Sequence, residues 1–187
     1  MANILIVYGT TEGHTRKIAQ HIGGFTREMG HNAEVLDSAD VRDDFRADGF
    51  NAFIVLGSLH QSNHQRSLIH FVKKHREELN LAPSSFLSVS LTAASKDGDH
   101  HEELQKCVDR FTEETEWTPT EWAPVAGALK YVEYDWFKRM ILKSISKKAG
   151  GDTDTSKDYE YTDWAALEEY ITLFLKKSFI FEKPHPQ

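Results

Sequence analysis

The fold of this chain is decided by the stretch ILIVYGTTEGHT, which runs from residue 4 to residue 15. Its first part, Ile4 to Tyr8, is a short continuous apolar run, typical of a parallel strand that helices cover on both faces. From Thr15 to about Met29, apolar residues recur three or four positions apart beside a charged face, which predicts a helix. The loop between them therefore lies where a parallel strand ends and a helix begins, the place at which open α/β sheets bind ligands.

Similar strand and helix signals alternate along the rest of the chain. Further strands are predicted at residues 33–36, 52–57, 86–91 and 122–129, and further helices at about 67–79, 101–116 and 163–177, with Thr162 as the candidate N-cap of the last helix. This βαβα order predicts an α/β fold with a doubly wound, five-stranded parallel sheet in a single domain, residues 1–187. Residues 130–161 are too many for an ordinary connection of roughly 2–6 residues, so they are predicted to be an insertion after the fifth strand.

Composition limits the classes of function. The chain carries 22 Lys and Arg against 29 Asp and Glu, a net charge of −7, which argues against nucleic-acid binding through a generally basic surface. The single cysteine, Cys107, has no second cysteine for an intrachain disulfide and fits a reducing compartment. Neither a signal-peptide pattern nor an apolar run of roughly 20 residues is present. We therefore expect a cytoplasmic protein whose membrane contact is peripheral.

The first loop, residues 9–15, has the chemistry of an anion site. A helix N-terminus offers backbone N–H groups and the positive end of the helix dipole, while Thr10, Thr11 and Thr15 add hydroxyl donors without adding charge. The loop lacks the Gly-Lys-Ser/Thr ending of an NTP-binding loop and the G-x-G-x-x-G spacing of a dinucleotide fold, which leaves the phosphate of FMN as the best candidate ligand. The alternative is that the threonines only cap and solvate the helix start.

Residues 8–19, YGTTEGHTRKIA, resemble the FMN phosphate loop and the first helix of flavodoxins. Many flavodoxins have a threonine or serine hydroxyl at the position of Glu12. We therefore expect Glu12 to contribute its backbone amide, with its carboxylate directed away from the phosphate. The resemblance implies a flavodoxin-like fold that binds FMN.

Later motifs resemble one flavodoxin-like family, the menaquinone-dependent protoporphyrinogen dehydrogenases. These motifs are SVSLTA at 88–93, VAGALKY at 125–131, YDWFKR at 134–139, GGDTDT at 150–155 and YTDW at 161–164. The resemblance covers nearly the whole chain. It implies an enzyme of heme biosynthesis at the cytoplasmic face of the cell membrane, which passes electrons from protoporphyrinogen IX through FMN to a membrane quinone.

The resemblance also implies that three loops at the carboxyl ends of strands hold FMN. The implied residues are Thr10, Thr11, Glu12, Gly13, His14 and Thr15 in the first loop, Ser58, Leu59, His60 and Gln61 in the second, and Leu91, Thr92, Ala93 and Ala94 in the third. Gln61 and Ser62 stand where relatives tend to carry an arginine and a tyrosine. This difference bears on redox potential or substrate choice, because charge and hydrogen bonds around the ring tune a flavin. Catalytic residues stay unknown.

The ten histidines do not indicate a metal site, since neither a cysteine cluster nor a His-Glu-x-x-His motif accompanies them. His60 and His64 follow the third strand, where they are candidates for contact with the flavin or with a tetrapyrrole carboxylate. The alternative is that both are solvated surface residues. Cys107 falls in a predicted helix, where we expect it to be packed rather than catalytic.

The insertion contains a basic segment, residues 130–148, with a local charge of +4 that leaves −11 for the rest of the chain. As a helix, this segment would place aromatic and aliphatic side chains on one face and basic residues around the rest, a pattern that suits an anionic membrane surface. The predicted membrane-facing or quinone-facing residues are Trp136, Phe137, Lys138, Arg139, Met140 and Lys143. The alternative is that the apolar face docks onto the domain's own sheet or a second subunit, which leaves a homo-oligomer open.

Two other functions compete with the enzyme. A flavodoxin-like electron carrier would shuttle electrons between proteins and have no small-molecule substrate of its own, and the acidic balance of the chain fits it. A flavin-free module that binds a tetrapyrrole or a membrane is the second alternative, which the changes at Gln61 and Ser62 keep open.

Overall fold

The computed structural model describes residues 1–60, 62–94, 99–129 and 159–179. Five strands form one parallel sheet: β1 (Asn3–Gly9), β2 (Asn32–Asp37), β3 (Ala52–Ser58), β4 (Ser84–Ser90) and β5 (Glu121–Ala126). Their order across the sheet is β2-β1-β3-β4-β5, and each neighbouring pair is parallel. This confirms the predicted doubly wound, five-stranded parallel sheet.

The helices in the described part of the chain are α1 (His14–Glu28), α2 (Arg66–Lys74), α3 (Arg76–Leu81), α4 (Asp99–Thr115) and α5 (Trp164–Phe179), and one 3₁₀ turn (Thr92–Ala94) follows β4. Three predicted helices are confirmed to within two residues at each end. The helix predicted at 67–79 is instead two helices, because the backbone turns at His75 (φ −110°, ψ 19°). The His75 ring packs against Phe71 and Phe45, with centroids 4.7 and 5.7 Å away.

Alternate residues of the strands face two separate cores. Ile4 and Ile6 of β1 pack with α1 and α5 on one face of the sheet, which we call the α1/α5 face. Leu5 and Val7 pack with α2, α3 and α4 on the other, the α2–α4 face. Because both faces are covered, the strands read as continuous apolar runs, and β1 is buried from Ile4 to Gly9.

The site follows from the order of the strands. β1 has β2 on one side and β3 on the other, so the connections that leave these strands diverge at their carboxyl ends. A crevice at such a switch point is where doubly wound sheets bind ligands. The loops after β1 and β3 are the first two loops that the sequence assigns to a cofactor.

The fifth strand, predicted at 122–129, is interrupted at Gly127. After it, β6 (Ala128–Leu129) pairs antiparallel with β7 (Tyr159–Glu160). The Gly127 N–H donates to the Ser90 carbonyl at 3.0 Å, and its carbonyl accepts from the Tyr161 N–H at 3.1 Å. The two ends of the insertion therefore meet beside the carboxyl end of β5.

Two groups of predicted site residues lie outside the described residues. They are Gln61 and the membrane-facing set Trp136, Phe137, Lys138, Arg139, Met140 and Lys143. Within the described part of the chain, no helix has both the length and the apolarity to cross a bilayer. Cys107 is buried in α4, which confirms that it is packed.

Candidate cofactor site

A cleft opens at the carboxyl end of the sheet, between the loops that follow β1, β3, β4 and β5. Its lining residues are Thr10, Thr11, Glu12, His14, Thr15, Ser58, Leu59, His60, Val89, Ser90, Leu91, Gly127 and Ala128. Nine of them were predicted from the sequence as cofactor-binding. Of the other predicted residues that the structure describes, Gly13 and Thr92–Ala94 adjoin the lining without forming it, while Val89, Ser90, Gly127 and Ala128 were missed.

The first loop ends in a tight turn at Gly13, the N-cap of α1. Gly13 has φ +86°, a left-handed conformation that strains residues with a side chain. Its N–H donates to Thr10 Oγ1 at 2.9 Å, so the loop is braced by its own hydroxyl. The turn places Thr15 in the first turn of α1, where N–H groups have no intrahelical acceptor, and the Thr15 side chain is buried at the cleft.

The two basic residues that directly follow this loop in the sequence are engaged elsewhere. Arg16 donates to the Tyr8 hydroxyl at 2.9 Å and pairs with Asp37 at 3.3 Å. Lys17 pairs with Glu160 at 2.6 Å, and this hydrogen bond is the main reason that the pKa of the Glu160 carboxyl is lowered. The loop can therefore attract an anion through hydroxyls, backbone N–H groups and the helix dipole. Glu12 contributes to the same wall.

The second loop is a closed turn after β3. The His60 N–H donates to the Asn63 carbonyl at 2.9 Å, and the Asn63 N–H donates back at 3.0 Å. Ser62 at the turn has φ +62°, and its carbonyl accepts from Arg110 of α4 at 3.3 Å. The Leu59 N–H donates to the Val89 carbonyl at 2.8 Å, which joins this loop to β4 and places Leu59 and His60 on the cleft wall.

His64 is not the solvated surface residue that the sequence left open as an alternative. Only 7% of it is exposed, and its ring lies edge-on to Phe86 and Phe111, with centroids 5.1 and 4.9 Å away. Nε2 lies 3.3 Å from the Ser88 hydroxyl. Burial lowers the pKa of His64 to about 4, so the imidazole is neutral at neutral pH. It supports the second loop from below, whereas His60 lines the cleft.

The third loop is held by Ser90. The Ala93 N–H donates to Ser90 Oγ at 3.1 Å, which fixes the 3₁₀ turn, and the Gly127 N–H donates to the Ser90 carbonyl at 3.0 Å. These bonds bring Leu91 and Ala128 onto one wall. Gly127 and Ala128 belong to the VAGALKY stretch, so that motif was the signal that could have found them.

A hydrogen-bond chain joins the first loop to the segment that returns from the insertion. The Thr162 hydroxyl donates to the Ala126 carbonyl at 2.7 Å and lies 2.8 Å from His14 Nε2. Since a hydroxyl has one hydrogen and a carbonyl only accepts, His14 Nε2 carries a hydrogen and donates to Thr162. Thr162 is therefore not the N-cap of α5. Asp163 caps that helix, because its Oδ1 accepts from the Ala166 N–H at 3.0 Å.

The wall of the cleft changes in character from one end to the other. Hydroxyls and a helix N-terminus surround the first loop, whereas the loops after the other strands add the apolar side chains Leu59, Val89, Leu91 and Ala128 beside Ser58, His60 and Ser90. Such a site fits a ligand with an anionic group at one end and a flat, largely apolar ring at the other. FMN has these two parts.

Known proteins share both sequence and fold with this chain. Residues 5–156 match the flavodoxin domain model. The protoporphyrinogen IX dehydrogenase [quinone] of Escherichia coli (strain K12) is 32% identical over 166 residues, which cover 89% of this chain and 91% of that protein. The enzyme of the same name from Leishmania major is 32% identical over 173 residues, which cover 91% of this chain and 73% of that protein.

Solved structures agree on the fold. A short-chain flavodoxin associated with a non-canonical PDU bacterial microcompartment has a TM-score of 0.58 and 12% identity over 95% of this chain and 99% of that chain. Oxidised flavodoxin 1 from Bacillus cereus has a TM-score of 0.55 and 12% identity over 94% of this chain and 98% of that chain. Identities this low show the fold alone. Sequence and fold together place this chain in the flavodoxin domain family and, within it, among the quinone-type protoporphyrinogen IX dehydrogenases.

Proposed function

We propose that this protein is an FMN-dependent enzyme of heme biosynthesis that oxidises protoporphyrinogen IX and delivers the electrons to a membrane quinone. The observation that carries the proposal is the cleft at the β1/β3 switch point, whose hydroxyl-lined first loop opens α1 and whose other loops contribute Leu59, Val89, Leu91 and Ala128. The named relatives act on this substrate class, and the chain covers most of the length of the Escherichia coli enzyme.

Each part of the cleft has a task in this function. Thr10, Thr11 and Thr15, with the N-terminal amides of α1, would hold the phosphate. Leu59 and Leu91, which line the cleft, would cover the flavin ring and exclude water from it. Bound flavin supplies the capacity to accept electrons from one partner and pass them to another, so the protein's work is to bind, orient and tune it. His60 lines the same cleft, and in this function it would meet an acidic group of the substrate.

The binding step is tested by a matched pair of glycine variants. Gly13 and Gly30 both have φ +86° and open space where a Cβ would lie, but Gly13 caps α1 at the cleft and Gly30 lies beyond the other end of that helix. Gly→Ala at each position costs about 1 kcal/mol of folding stability. Only Gly13→Ala weakens FMN binding, roughly tenfold, measured by quenching of flavin fluorescence. Equal FMN affinity in the two variants argues against the first loop as the phosphate site.

Turnover separates the enzyme from the electron carrier, which the net charge of −7 favours as the second candidate. Anaerobic mixing of FMN-loaded protein with protoporphyrinogen IX and a menaquinone analogue is expected to produce porphyrin fluorescence faster than a protein-free control. A flavin that exchanges electrons only with a partner reductase, with no gain in porphyrin, supports the carrier. Failure to bind FMN at micromolar concentration removes both functions and leaves a flavin-free binding module.

We also propose that the enzyme works at the cytoplasmic face of the cell membrane as a peripheral protein. The support is the +4 charge of residues 130–148 in an otherwise acidic chain, since basic residues near an anionic surface contribute about 1 kcal/mol each. Changing Lys138, Arg139 and Lys143 to Glu is expected to abolish cosedimentation with anionic liposomes. The control changes Arg42, Arg46 and Lys106, three exposed residues, to Glu. An equal loss of cosedimentation in both variants would show that liposome binding depends on the net charge of the chain and not on the basic segment.

A further inference from the structure

Gln65 is a cleft-supporting residue that sequence patterns do not single out. It precedes α2 in an extended conformation, and its carbonyl accepts from the Ile69 N–H at 3.0 Å, so its backbone is fixed by the helix. Its side chain crosses β1 at Gly9, where a Cβ would lie 2.9 Å from Gln65 Oε1 and 3.2 Å from Gln65 Cβ. Glycine at position 9 therefore leaves the room in which this side chain lies.

The amide of Gln65 connects two of the three loops. Its Nε2 donates to Thr11 Oγ1 at 3.0 Å and also to Ser58 Oγ. Thr11 belongs to the first loop and Ser58 ends β3, and both residues line the cleft. One side chain beneath the cleft thus contacts both the first loop and the end of β3.

These two hydrogen bonds set the direction of both hydroxyls. An amide NH₂ group only donates, so the oxygens of Thr11 and Ser58 act as acceptors toward Gln65. The single hydrogen of each hydroxyl must then point to another acceptor, and the cleft adjoins both residues. Phosphate oxygens accept hydrogen bonds only, so hydroxyls in this state match an anionic ligand.

The carbonyl oxygen of the Gln65 side chain shows that packing alone does not explain a glutamine at position 65. Gln65 Oε1 is buried and has no hydrogen-bond partner among the residues that the structure describes. An unpaired buried carbonyl is unfavourable, and an unbranched apolar side chain of similar length would fill the space without it. The amide at position 65 is therefore explained by the hydrogen bonds that its NH₂ group donates to Thr11 and Ser58.

We propose that Gln65 is a positioning residue that turns the hydroxyl hydrogens of Thr11 and Ser58 into the cleft, so that both act as donors to the cofactor. The inference rests on the proposed FMN site. It predicts that Gln65 acts on ligand affinity through these two hydroxyls, without contact with the ligand and without a contribution to folding stability.

Two substitutions of Gln65 distinguish an effect on the direction of the Thr11 and Ser58 hydroxyls from an effect of side-chain packing. Gln65→Met removes the donors at similar length, and FMN affinity is expected to fall about tenfold, the effect of losing one or two oriented hydrogen bonds. Gln65→Glu reverses the polarity, because a carboxylate only accepts and draws both hydroxyl hydrogens away from the cleft. FMN affinity is expected to fall further, while riboflavin, which lacks the phosphate, loses less in both variants.

A double-mutant cycle with Thr11→Val tests whether Gln65 acts through the hydroxyl. Coupling is expected, so that Gln65→Met costs clearly less FMN affinity in the Thr11→Val background than in the wild type. Melting temperatures of the flavin-free variants check that Gln65→Met folds as stably as the wild type.

Ligand preference and coupling to Thr11 together decide whether Gln65 has this role. Weaker FMN binding with a reduced FMN-to-riboflavin preference and coupling to Thr11 supports the proposal. Wild-type affinity in Gln65→Glu would mean that the amide carbonyl faces the hydroxyls, and it overturns the proposal, as does full additivity with Thr11→Val. These results leave FMN binding by the wild type intact, whereas a wild type that does not bind FMN overturns the proposed function itself.

Discussion

The two faces of the sheet are stabilised by different chemistry. The α2–α4 face holds a cluster of aromatic rings around Trp117, Phe86 and Phe111, with two buried histidines, His64 and His75. The α1/α5 face has a mainly aliphatic core. Above that core, polar contacts join α1 to the segment from β7 to α5.

The difference assigns separate tasks to the faces. Aromatic burial on the α2–α4 face stabilises the sheet and supports the second loop through His64. Polar contacts on the α1/α5 face hold the segment from β7 to α5 beside the first loop. They include the His14–Thr162 and Lys17–Glu160 contacts. Substitutions on the first face are therefore expected to change stability, and those on the second to change the cleft at a smaller cost in stability.

The largest effect is expected at Trp117. Its side chain is fully buried, packs against Phe86 and Phe111, and donates through Nε1 to Ser84 Oγ at 3.2 Å. Trp117→Ala is expected to lower the free energy of unfolding by about 3–5 kcal/mol, because it removes a large buried ring and leaves a cavity. Urea unfolding measures it. A loss below about 1 kcal/mol would contradict a rigidly packed aromatic core.

The second effect is the pH dependence that His64 gives to the α2–α4 face. Burial lowers its pKa in the folded protein to about 4, against an ordinary value of 6.5. Between these values the unfolded chain binds a proton that the folded protein does not, so stability falls as pH drops from about 6.5 to about 4, by up to about 3 kcal/mol. Burial also lowers the pKa of His75, in the same direction.

Urea unfolding between pH 7.5 and 4 checks this prediction. His64→Gln is expected to be less stable at pH 7.5, since glutamine does not reproduce the contacts with Phe86 and Phe111, but its stability should depend less on pH. An unchanged pH slope in this variant would assign the acid sensitivity to other groups.

A smaller effect is expected on the α1/α5 face at Thr162. Thr162→Val keeps the shape of the side chain but removes the hydroxyl that joins His14 to the Ala126 carbonyl. The expected loss of stability is about 1–2 kcal/mol, because a part-buried carbonyl loses its donor. Faster release of FMN should accompany it, since the first loop loses its anchor. Stopped-flow fluorescence measures that rate, and the control is Thr172→Val, whose hydroxyl contacts Met29 at the opposite end of α1 from the cleft.

The smallest effect is expected at Lys17. More than half of its side chain is exposed, so the bond to Glu160 is worth less than about 1 kcal/mol and weakens with salt. Lys17→Met should leave FMN affinity nearly unchanged if the phosphate is held by uncharged donors. A tenfold loss of affinity would instead show that this ammonium serves the phosphate, and the view that uncharged donors alone hold it would then be wrong.

Local patterns were enough for most of the fold. The apolar runs of β1 and β3 and the amphipathic pattern of α1 predicted the elements, because parallel strands covered on both faces and half-buried helices leave direct periodic signals. The same stretch predicted most of the first loop's cleft residues, since its position after a strand and before a helix defines a ligand site in this fold.

Errors arose where distant contacts decide local structure. The turn at His75 follows from ring packing with Phe45 of another segment, and periodicity did not show it. Thr162 and Asp163 are both good N-cap residues, and the bond from Thr162 to Ala126, 36 positions away, leaves the cap to Asp163.

The sequence by itself determined the sheet, its covering helices, the first loop and the family resemblance, because each depends on patterns among residues close together in the chain. Only the tertiary structure decided that His64 is buried and neutral, that Gly127 and Ala128 complete the cleft, and that Gln65 joins Thr11 to Ser58. These facts depend on the approach of residues far apart in the chain, and spacing along the sequence does not encode the direction of a side chain or its burial.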